Sequence, residues 1–149
     1  MMPLNETDCG SCLDLALHRF RVSQEDLKTA WLLLDAEQYR AANNRAYYAI
    51  YHAIDTVLAM EGKAFKRHKD TLGYFNKNYV ATNIFPRELG RKIIKAEEIR
   101  HASDYDTFYI ASKEVTLQQI ETAEQLVTLV ADYYEAHKEN SEIGRASCR

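Results

Sequence analysis

Apolar residues recur at every third or fourth position along most of this 149-residue chain, which is the spacing of one face of an α-helix. No stretch shows the strict alternation of a half-buried strand. The first apolar stretch carries helix-start patterns at Ser11 and Ser23, so it fits one long helix or two helices with a break near Val22. The predicted helices span residues 13–38, 39–61, 68–80, 86–103 and 113–137.

The second predicted helix carries a stripe of small residues, which lets a neighbouring helix approach closely. That stripe consists of Ala42, Ala46, Ala49, Ala53 and Val57. An apolar and aromatic stripe flanks it and is made of Tyr47, Tyr51, Ile54 and Leu58. Polar side chains line up along another side of the helix and are Arg45, Tyr48, His52 and Asp55. The small residues therefore belong to the core, and Gly62 is placed to end the helix as a C-terminal cap.

The composition favours an all-α fold. The chain has 5 glycines and 2 prolines, whereas average usage would give roughly 18 of the two together in this length. Because an all-β fold needs frequent turns, we predict an antiparallel up-and-down bundle of four main helices plus one short helix, formed by residues 13–138. Residues 1–12 are expected to be a flexible N-terminal segment. Residues 139–149 are expected to be a disordered tail, either native or added by an expression vector.

Charge and motif content narrow the classes of function. The net charge of −3 does not favour tight, sequence-independent binding to nucleic acid. No apolar run reaches the roughly 18 residues of a membrane span and no signal peptide opens the chain, which predicts a cytoplasmic protein. The chain also lacks a glycine-rich phosphate loop, a G-x-S-x-G elbow and an H-E-x-x-H helix, which argues against metal-dependent hydrolysis and acyl transfer. No metal or cofactor is expected.

The cysteine pattern adds little to this interpretation. The chain has three cysteines, Cys9, Cys12 and Cys148, and the odd count argues against a disulfide framework. Cys9 and Cys12 form a C-x-x-C pair that could supply half of a tetrahedral zinc site, but no second pair follows to complete it.

Two groups of polar residues remain as candidate chemistry. One is the polar side of the second helix, and the other is the segment 97–106 at the end of the fourth. In that segment Arg100 and Asp104 are four residues apart, and so are His101 and Tyr105. On spacing alone, Arg100 and Asp104 are equally compatible with a surface ion pair worth about 0.3–0.5 kcal/mol.

Three blocks in order resemble the small prokaryotic branch of the HEPN superfamily, the higher-eukaryote and prokaryote nucleotide-binding domains. They are the run NRAYYAIYHA at residues 44–53, then His68, then Arg100 ahead of Asp104 and Tyr105. The resemblance covers roughly residues 13–137. It implies an all-α up-and-down bundle, a homodimer and a minimal nucleotidyltransferase often encoded beside the gene. Many members of the superfamily are metal-independent ribonucleases that act as toxins or in defence.

The catalytic pattern of the superfamily is an Arg followed by a His, with four to six residues between them. Arg100 matches the Arg of this pattern. The positions where the His is expected hold Tyr105, Asp106 and Thr107 instead. The resemblance therefore implies the fold and the Arg, while the proton-transfer groups must come from elsewhere in the chain.

The leading hypothesis is an RNA- or nucleotide-associated protein, with metal-independent ribonuclease activity as its catalytic form. In this hypothesis Arg100 binds a phosphate next to Asp104. Proton transfer is assigned to His52, His68 or His101, because a pKa of about 6.5 suits an imidazole to that task at neutral pH. The residues assigned to nucleotide binding are Arg45, Tyr48, Arg67 and Tyr105.

The competing hypothesis is a binding module without catalysis, which binds a nucleotide or pairs with a nucleotidyltransferase. Tyr105 is then the candidate acceptor for nucleotidyl modification, by analogy with family members that carry a Tyr near the motif. A modest anion site could form from basic residues on the fourth helix and in the loop before the third. These residues are Arg87, Arg91, Lys95, Lys63, Lys66, Arg67 and Lys69.

A homodimer is predicted from the second helix as well as from the resemblance. Only the small-residue stripe is needed for the core of one chain, so the flanking stripe that contains Tyr47 and Tyr51 suggests a partner. A two-fold dimer would bring both copies of Arg100 towards a shared cleft. The alternative is that the first and last helices cover both stripes within one chain.

Overall fold

The computed structural model describes residues 4–143, with side chains for residues 12–139, and contains five helices. They are α1 (Leu4–Asp35), α2 (Tyr39–Met60), α3 (His68–Phe75), α4 (Leu89–Tyr105) and α5 (Lys113–Ile143). α3 continues directly into one π-helical turn, Asn76–Val80. The described residues contain no strand, and the helices pack on one another as a bundle, which confirms the predicted all-α fold.

α2 is the centre of the bundle, because the other four helices all pack against it. The predicted stripe of small residues is completely buried, from Ala42 at its start to Val57 at its end. The absence of large side chains along this stripe allows α1 and α5 to pack closely on α2. The prediction that this face forms the core is therefore confirmed.

The flanking stripe of α2 is covered within the same chain. Tyr47, Ile54 and Leu58 are fully buried, and Tyr51 is half-buried. The surplus apolar face that suggested a partner is therefore absent, because neighbouring helices occupy both sides of α2. The homodimer remains a prediction, but α2 no longer supports it.

α1 is one uninterrupted helix, so it does not break near Val22. The hydroxyl of Ser23 donates a hydrogen bond to the carbonyl oxygen of Phe20 at 2.7 Å. Ser23 is fully buried, and its hydroxyl is satisfied inside the helix instead of capping a new one. The helix also begins at Leu4, which is earlier than the start predicted at Ser11 and lies within the segment predicted to be flexible.

The caps predicted at two helix ends are confirmed. Gly62 adopts a positive φ of 75° immediately after the C-cap residue Glu61 of α2, and its amide donates to the carbonyl oxygen of Ala59 at 3.0 Å. At the start of α5, the backbone amide of Val115 donates to Oγ of Ser112 at 3.1 Å. These contacts satisfy backbone groups that would otherwise lack partners at helix ends.

The other helix boundaries differ from the predicted ones by a few residues. α4 begins at Leu89 because Pro86 forms a turn, in which its carbonyl oxygen accepts the amide of Leu89 at 3.0 Å. α5 continues past residue 137 to Ile143, and so includes part of the predicted tail 139–149. Residues 144–149 lie outside the described part of the chain.

Two further expectations from the sequence can be compared with the structure. Cys12 is buried and disulfide-bonded, a bond that the odd cysteine count did not predict. Within residues 4–143, none of the helices combines the length and the apolar character that crossing a membrane requires.

Candidate active site

Aromatic rings and two imidazoles gather where α2 meets the start of α3. We call this group the aromatic–histidine cluster, and its members are Tyr47, Tyr48, Tyr51, His52 and His68. The ring of His68 stacks on that of Tyr51 with 3.9 Å between the ring centroids. Nδ1 of His68 lies 3.0 Å from the hydroxyl oxygen of Tyr47, with which it shares a hydrogen bond. Two contacts therefore fix the orientation of the His68 imidazole.

His68 reaches this position because α3 is anchored to the core. Leu72 and Phe75 follow His68 at four and seven residues, so the three side chains lie on one face of the short helix. Both are buried in the same core that contains Tyr47. The packing of α3 therefore places His68 in contact with α2.

Arg100 of α4 also contacts Tyr47. Its guanidinium carbon is 4.9 Å from the centroid of the Tyr47 ring, an arrangement in which the cation is attracted by the ring face. Nη1 of Arg100 donates to Oδ2 of Asp104 at 3.2 Å, and Oδ1 of Asp104 accepts from Nδ2 of Asn44 at 3.0 Å. The Arg100 side chain is only 14% exposed, and its buried Nε has no hydrogen-bond partner. Arg100 is thus held in place while one of its donors is unused.

The environment keeps His68 neutral at pH 7. Burial lowers the pKa of the His68 imidazole, and the positive charge of Arg100 lowers it further, whereas Glu97 and Asp55 act in the opposite direction. Burial also raises the pKa of the Tyr47 hydroxyl far above its usual range, so that this hydroxyl stays protonated. The cluster therefore presents a neutral imidazole close to a permanent cation.

The polar side of α2 packs against α1. Nη1 of Arg45 donates to Oδ1 of Asp26 at 2.9 Å, and Nε of Arg19 lies 3.1 Å from Oδ2 of Asp55 in a second ion pair. Burial raises the pKa of the carboxyl groups of Asp26 and Asp55, although the neighbouring arginines oppose this effect. These charged pairs hold α1 and α2 together across a partly buried interface.

His52 lies at the edge of this interface and is neutral. Burial, followed by the charge of Arg19, lowers its pKa from 6.5 to about 4. Its Nε2 is 3.9 Å from Oδ2 of Asp26, and its Nδ1 is buried without a hydrogen-bond partner. An imidazole of such low pKa is a weak base and is not protonated at neutral pH, which makes His52 a weak candidate for proton transfer.

We expect His52 to make the fold sensitive to acid. The unfolded chain binds a proton at this side chain below pH 6.5, whereas the folded chain does so only near pH 4, so stability is lost as the pH falls through this window. In the variant His52→Gln the loss of unfolding free energy between these two pH values should be smaller by up to about 3 kcal/mol. Urea denaturation at a series of pH values measures this loss of unfolding free energy in the wild type and the variant. The exposed residue His101 provides the control, since His101→Gln should leave the wild-type pH dependence in place.

The structure brings together only part of the predicted site. Tyr48, His52 and His68 belong to the aromatic–histidine cluster, and the guanidinium carbon of Arg45 lies 5.1 Å from the Tyr48 ring centroid. Arg100 and Asp104 border the cluster through Tyr47 and Asn44, as described above. The structure does not place the other predicted residues in the cluster; these are Arg67, His101 and Tyr105.

The three outlying residues have partners elsewhere or face solvent. Arg67 is exposed and its Nε donates to Oδ2 of Asp70 at 3.1 Å. His101 is exposed, and its ring centroid is 4.7 Å from that of Tyr105, which is itself 69% exposed. His101 and Arg100 are adjacent on α4, and this turns their side chains about 100° apart around the helix axis.

Sequence reasoning assigned Tyr47 and Tyr51 to packing and did not identify Asn44 or Arg40 as part of the site. Arg40 donates through Nη1 to the carbonyl oxygen of Ser103 and through Nη2 to that of Tyr109 at 3.0 Å, which fixes the end of α4. The sequence does contain a pattern that marks this side of α2, because the residues on it recur at intervals of four, three and four positions. They are Arg40, Asn44, Tyr47 and Tyr51.

Metal ligands are not grouped in the part of the chain that the structure describes. Among these residues, no set of three or more His, Cys, Asp or Glu side chains is arranged to hold a metal ion. The groups available for chemistry at the cluster are the imidazole of His68, the guanidinium of Arg100 and the tyrosine hydroxyls.

Comparison with known proteins matches most of this chain to one domain family. The model of the HEPN domain matches residues 16–136. A protein of Thermotoga maritima named "UPF0332 protein" is 35% identical over 85 residues, which cover 57% of this chain and 64% of that protein. A protein of Methanocaldococcus jannaschii named "Putative toxin MJ0605" is 31% identical over 86 residues, covering 58% of this chain and 64% of its own length. The matches thus span slightly less than two thirds of these relatives.

Proposed function

Because the chain belongs to the HEPN domain family, we propose that it is a metal-independent endoribonuclease that acts at the aromatic–histidine cluster. The observation that carries this proposal is that Arg100 and His68 both contact the same residue, Tyr47. RNA cleavage needs a cation for the phosphate and a base for the attacking hydroxyl, and these two residues supply them. The toxin name of the M. jannaschii relative is in keeping with such an activity.

In the proposed reaction His68 is the general base. The reaction uses the tautomer in which Nδ1–H donates to the Tyr47 hydroxyl oxygen across the 3.0 Å contact, so that the unprotonated Nε2 takes the proton of a ribose 2′-hydroxyl. The 2′ oxygen attacks the adjacent phosphorus, and the bond to the 5′ oxygen of the next nucleotide breaks. The leaving oxygen takes a proton from water, and the products are a 2′,3′-cyclic phosphate and a 5′-hydroxyl.

Arg100 neutralises the charge that develops on the phosphate. Asp104 accepts a hydrogen bond from Nη1 of Arg100 at 3.2 Å and thereby sets the direction of the guanidinium. The tyrosine rings of the cluster offer faces on which RNA bases can stack. Of the candidate bases, His68 is preferred over His52 because the pKa of about 4 makes His52 a weak proton acceptor.

The proposal is tested by cleavage of total RNA with purified protein in the presence of EDTA. Wild-type protein should cut, and Arg100→Gln should cut roughly 10²–10³-fold more slowly, because a charge-stabilising donor is lost from the transition state. The matched control is Arg21→Gln, since Arg21 is an exposed arginine of α1 outside the candidate site. A wild-type protein that leaves RNA intact would contradict the proposal, and so would equal activity in the two variants.

A second role is favoured by the exposure of Tyr105. Its ring is 69% exposed in the last turn of α4, directly after Asp104, where an external enzyme can reach the hydroxyl. We propose Tyr105 as an acceptor for nucleotidyl transfer, in which the phenolic oxygen attacks the α-phosphate of a nucleoside triphosphate and pyrophosphate leaves. A partner nucleotidyltransferase would catalyse this step.

Mass spectrometry of the protein isolated from its native host tests this second role. A nucleotide adduct on the peptide that contains Tyr105 is expected, and it should be absent from Tyr105→Phe. Tyr109, which lies four residues later and is less exposed, serves as the internal control. Tyr105 found unmodified under both growth and stress conditions would overturn the assignment.

A further inference from the structure

A groove between α4 and α5 is lined by none of the residues of the aromatic–histidine cluster. α4 packs chiefly against α2 and only slightly against α5, which leaves a cavity of about 250 Å³ between α4 and α5. We call it the α4–α5 groove. The residues that define it are Lys92, Lys95 and Ile99 of α4 and Gln118, Gln119 and Gln125 of α5.

The wall of the groove contains a buried donor without an acceptor. Gln119 is only 4% exposed, and its Nε2 has no hydrogen-bond partner in the described protein. A buried amide that lacks a partner is unfavourable, and such groups are rare in folded proteins. Because Gln119 lines the groove, a ligand with an acceptor oxygen could satisfy it there.

The charged residues of the groove favour an anion. The lining of the groove includes two lysines, Lys92 and Lys95, but only one carboxylate, that of Glu121. Nζ of Lys92 is already engaged, since it lies 3.6 Å from Oε1 of Glu88 and donates to Oε1 of Gln125 at 3.3 Å. Within residues 12–139, Lys95 makes no ion pair, so its charge remains available to a ligand.

We propose that the α4–α5 groove binds a small phosphorylated molecule with a polyhydroxyl body, of the size of a sugar phosphate. Lys95 would hold the phosphate as a point charge, while the glutamine amides donate to and accept from the hydroxyl groups. The side chain of Ile99 supplies an apolar wall for the carbon face of the sugar. The groove volume of about 250 Å³ is close to the lower end of the roughly 300–1,000 Å³ usual for small-molecule sites, which suits a ligand of this size.

Isothermal titration calorimetry of the full chain with ribose 5-phosphate tests the proposal, with ribose and inorganic phosphate as separate arms. Ribose 5-phosphate should bind saturably and more tightly than either component. The variants Gln119→Leu and Lys95→Gln should each lower its affinity roughly tenfold, the effect of losing one hydrogen bond to a charged or buried group. The control Lys77→Gln changes an exposed lysine of the π-helical turn and should bind as wild type does.

Three results would overturn the proposal. They are no saturable binding of ribose 5-phosphate, an equal affinity for inorganic phosphate alone, and binding that both groove variants leave unchanged. Because Lys95 is exposed, Lys95→Gln should fold normally, so the test does not depend on the stability of Gln119→Leu. A crystal structure grown with ribose 5-phosphate that shows only an ordered water on Nε2 of Gln119 would also contradict it.

Discussion

Replacement of His68 by glutamine is expected to slow RNA cleavage roughly 10²–10⁴-fold, which is the contribution usual for a general base. Glutamine keeps a polar group that can bond to the Tyr47 hydroxyl, but it cannot accept a proton at neutral pH. The rate of cleavage of a defined RNA in EDTA, measured at saturating substrate, gives the effect. Binding of the RNA should change much less than the rate, because Arg100 and the tyrosine rings remain.

Two further variants separate catalysis from structure at this position. His18→Gln removes an exposed imidazole of α1 and should cut RNA as wild type does. Tyr47→Phe removes the hydroxyl that orients His68, so the rate should fall by less than in His68→Gln. Wild-type cleavage by His68→Gln would exclude His68 as the base.

The second large effect is a loss of stability, which is expected when Phe75, the residue that anchors α3 in the core, is replaced. Phe75 is fully buried and its ring centroid lies 5.4 Å from that of Tyr79 and 5.1 Å from that of Phe85. Phe75→Ala should therefore lower the free energy of unfolding by about 3–5 kcal/mol, through lost burial and the cavity that remains. This is a large share of the roughly 5–15 kcal/mol that stabilises a typical domain.

Urea denaturation measures this loss, and Phe108 offers a matched control. Phe108 is 89% exposed in the segment between α4 and α5, so Phe108→Ala should change the unfolding free energy by less than about 0.5 kcal/mol. Equal effects of the two substitutions would show that the core does not include Phe75. Because α3 carries His68, Phe75→Ala should also slow RNA cleavage at temperatures where the chain is still folded.

The helices could be predicted from sequence because each buries a stripe with the 3.6-residue period. The caps at Gly62 and Ser112 were also readable, since they depend only on residues close in the chain. Ser23 shows the limit of such local patterns. It has the sequence of a helix start, yet its hydroxyl bonds within α1 because the helix continues through it.

The candidate site could be predicted only in part from the sequence, because its key contacts join segments that are distant in the chain. His68 and Arg100 were both singled out from sequence, but the residue that connects them, Tyr47, was assigned to packing. It does pack, and its buried ring also contacts both side chains. No periodicity could show that residues of α3 and α4 both contact Tyr47, since this depends on tertiary packing.

The predicted homodimer also depended on a tertiary feature. The stripe of α2 that suggested it is covered by the chain itself. Exposed apolar side chains occur instead around the end of α4, where Tyr105, Phe108 and Ile110 project into solvent. The homodimer therefore remains a prediction that rests on the family resemblance.

The chemistry of the RNA ends produced in EDTA tests the central claim most directly. A defined oligoribonucleotide is incubated with wild-type protein, and the termini of its fragments are identified by mass spectrometry. The account predicts 2′,3′-cyclic phosphate and 5′-hydroxyl ends, because the attacking oxygen is the adjacent 2′-hydroxyl activated by His68. Fragments with 3′-hydroxyl and 5′-phosphate ends, or RNA that stays intact until a divalent metal is added, would contradict it.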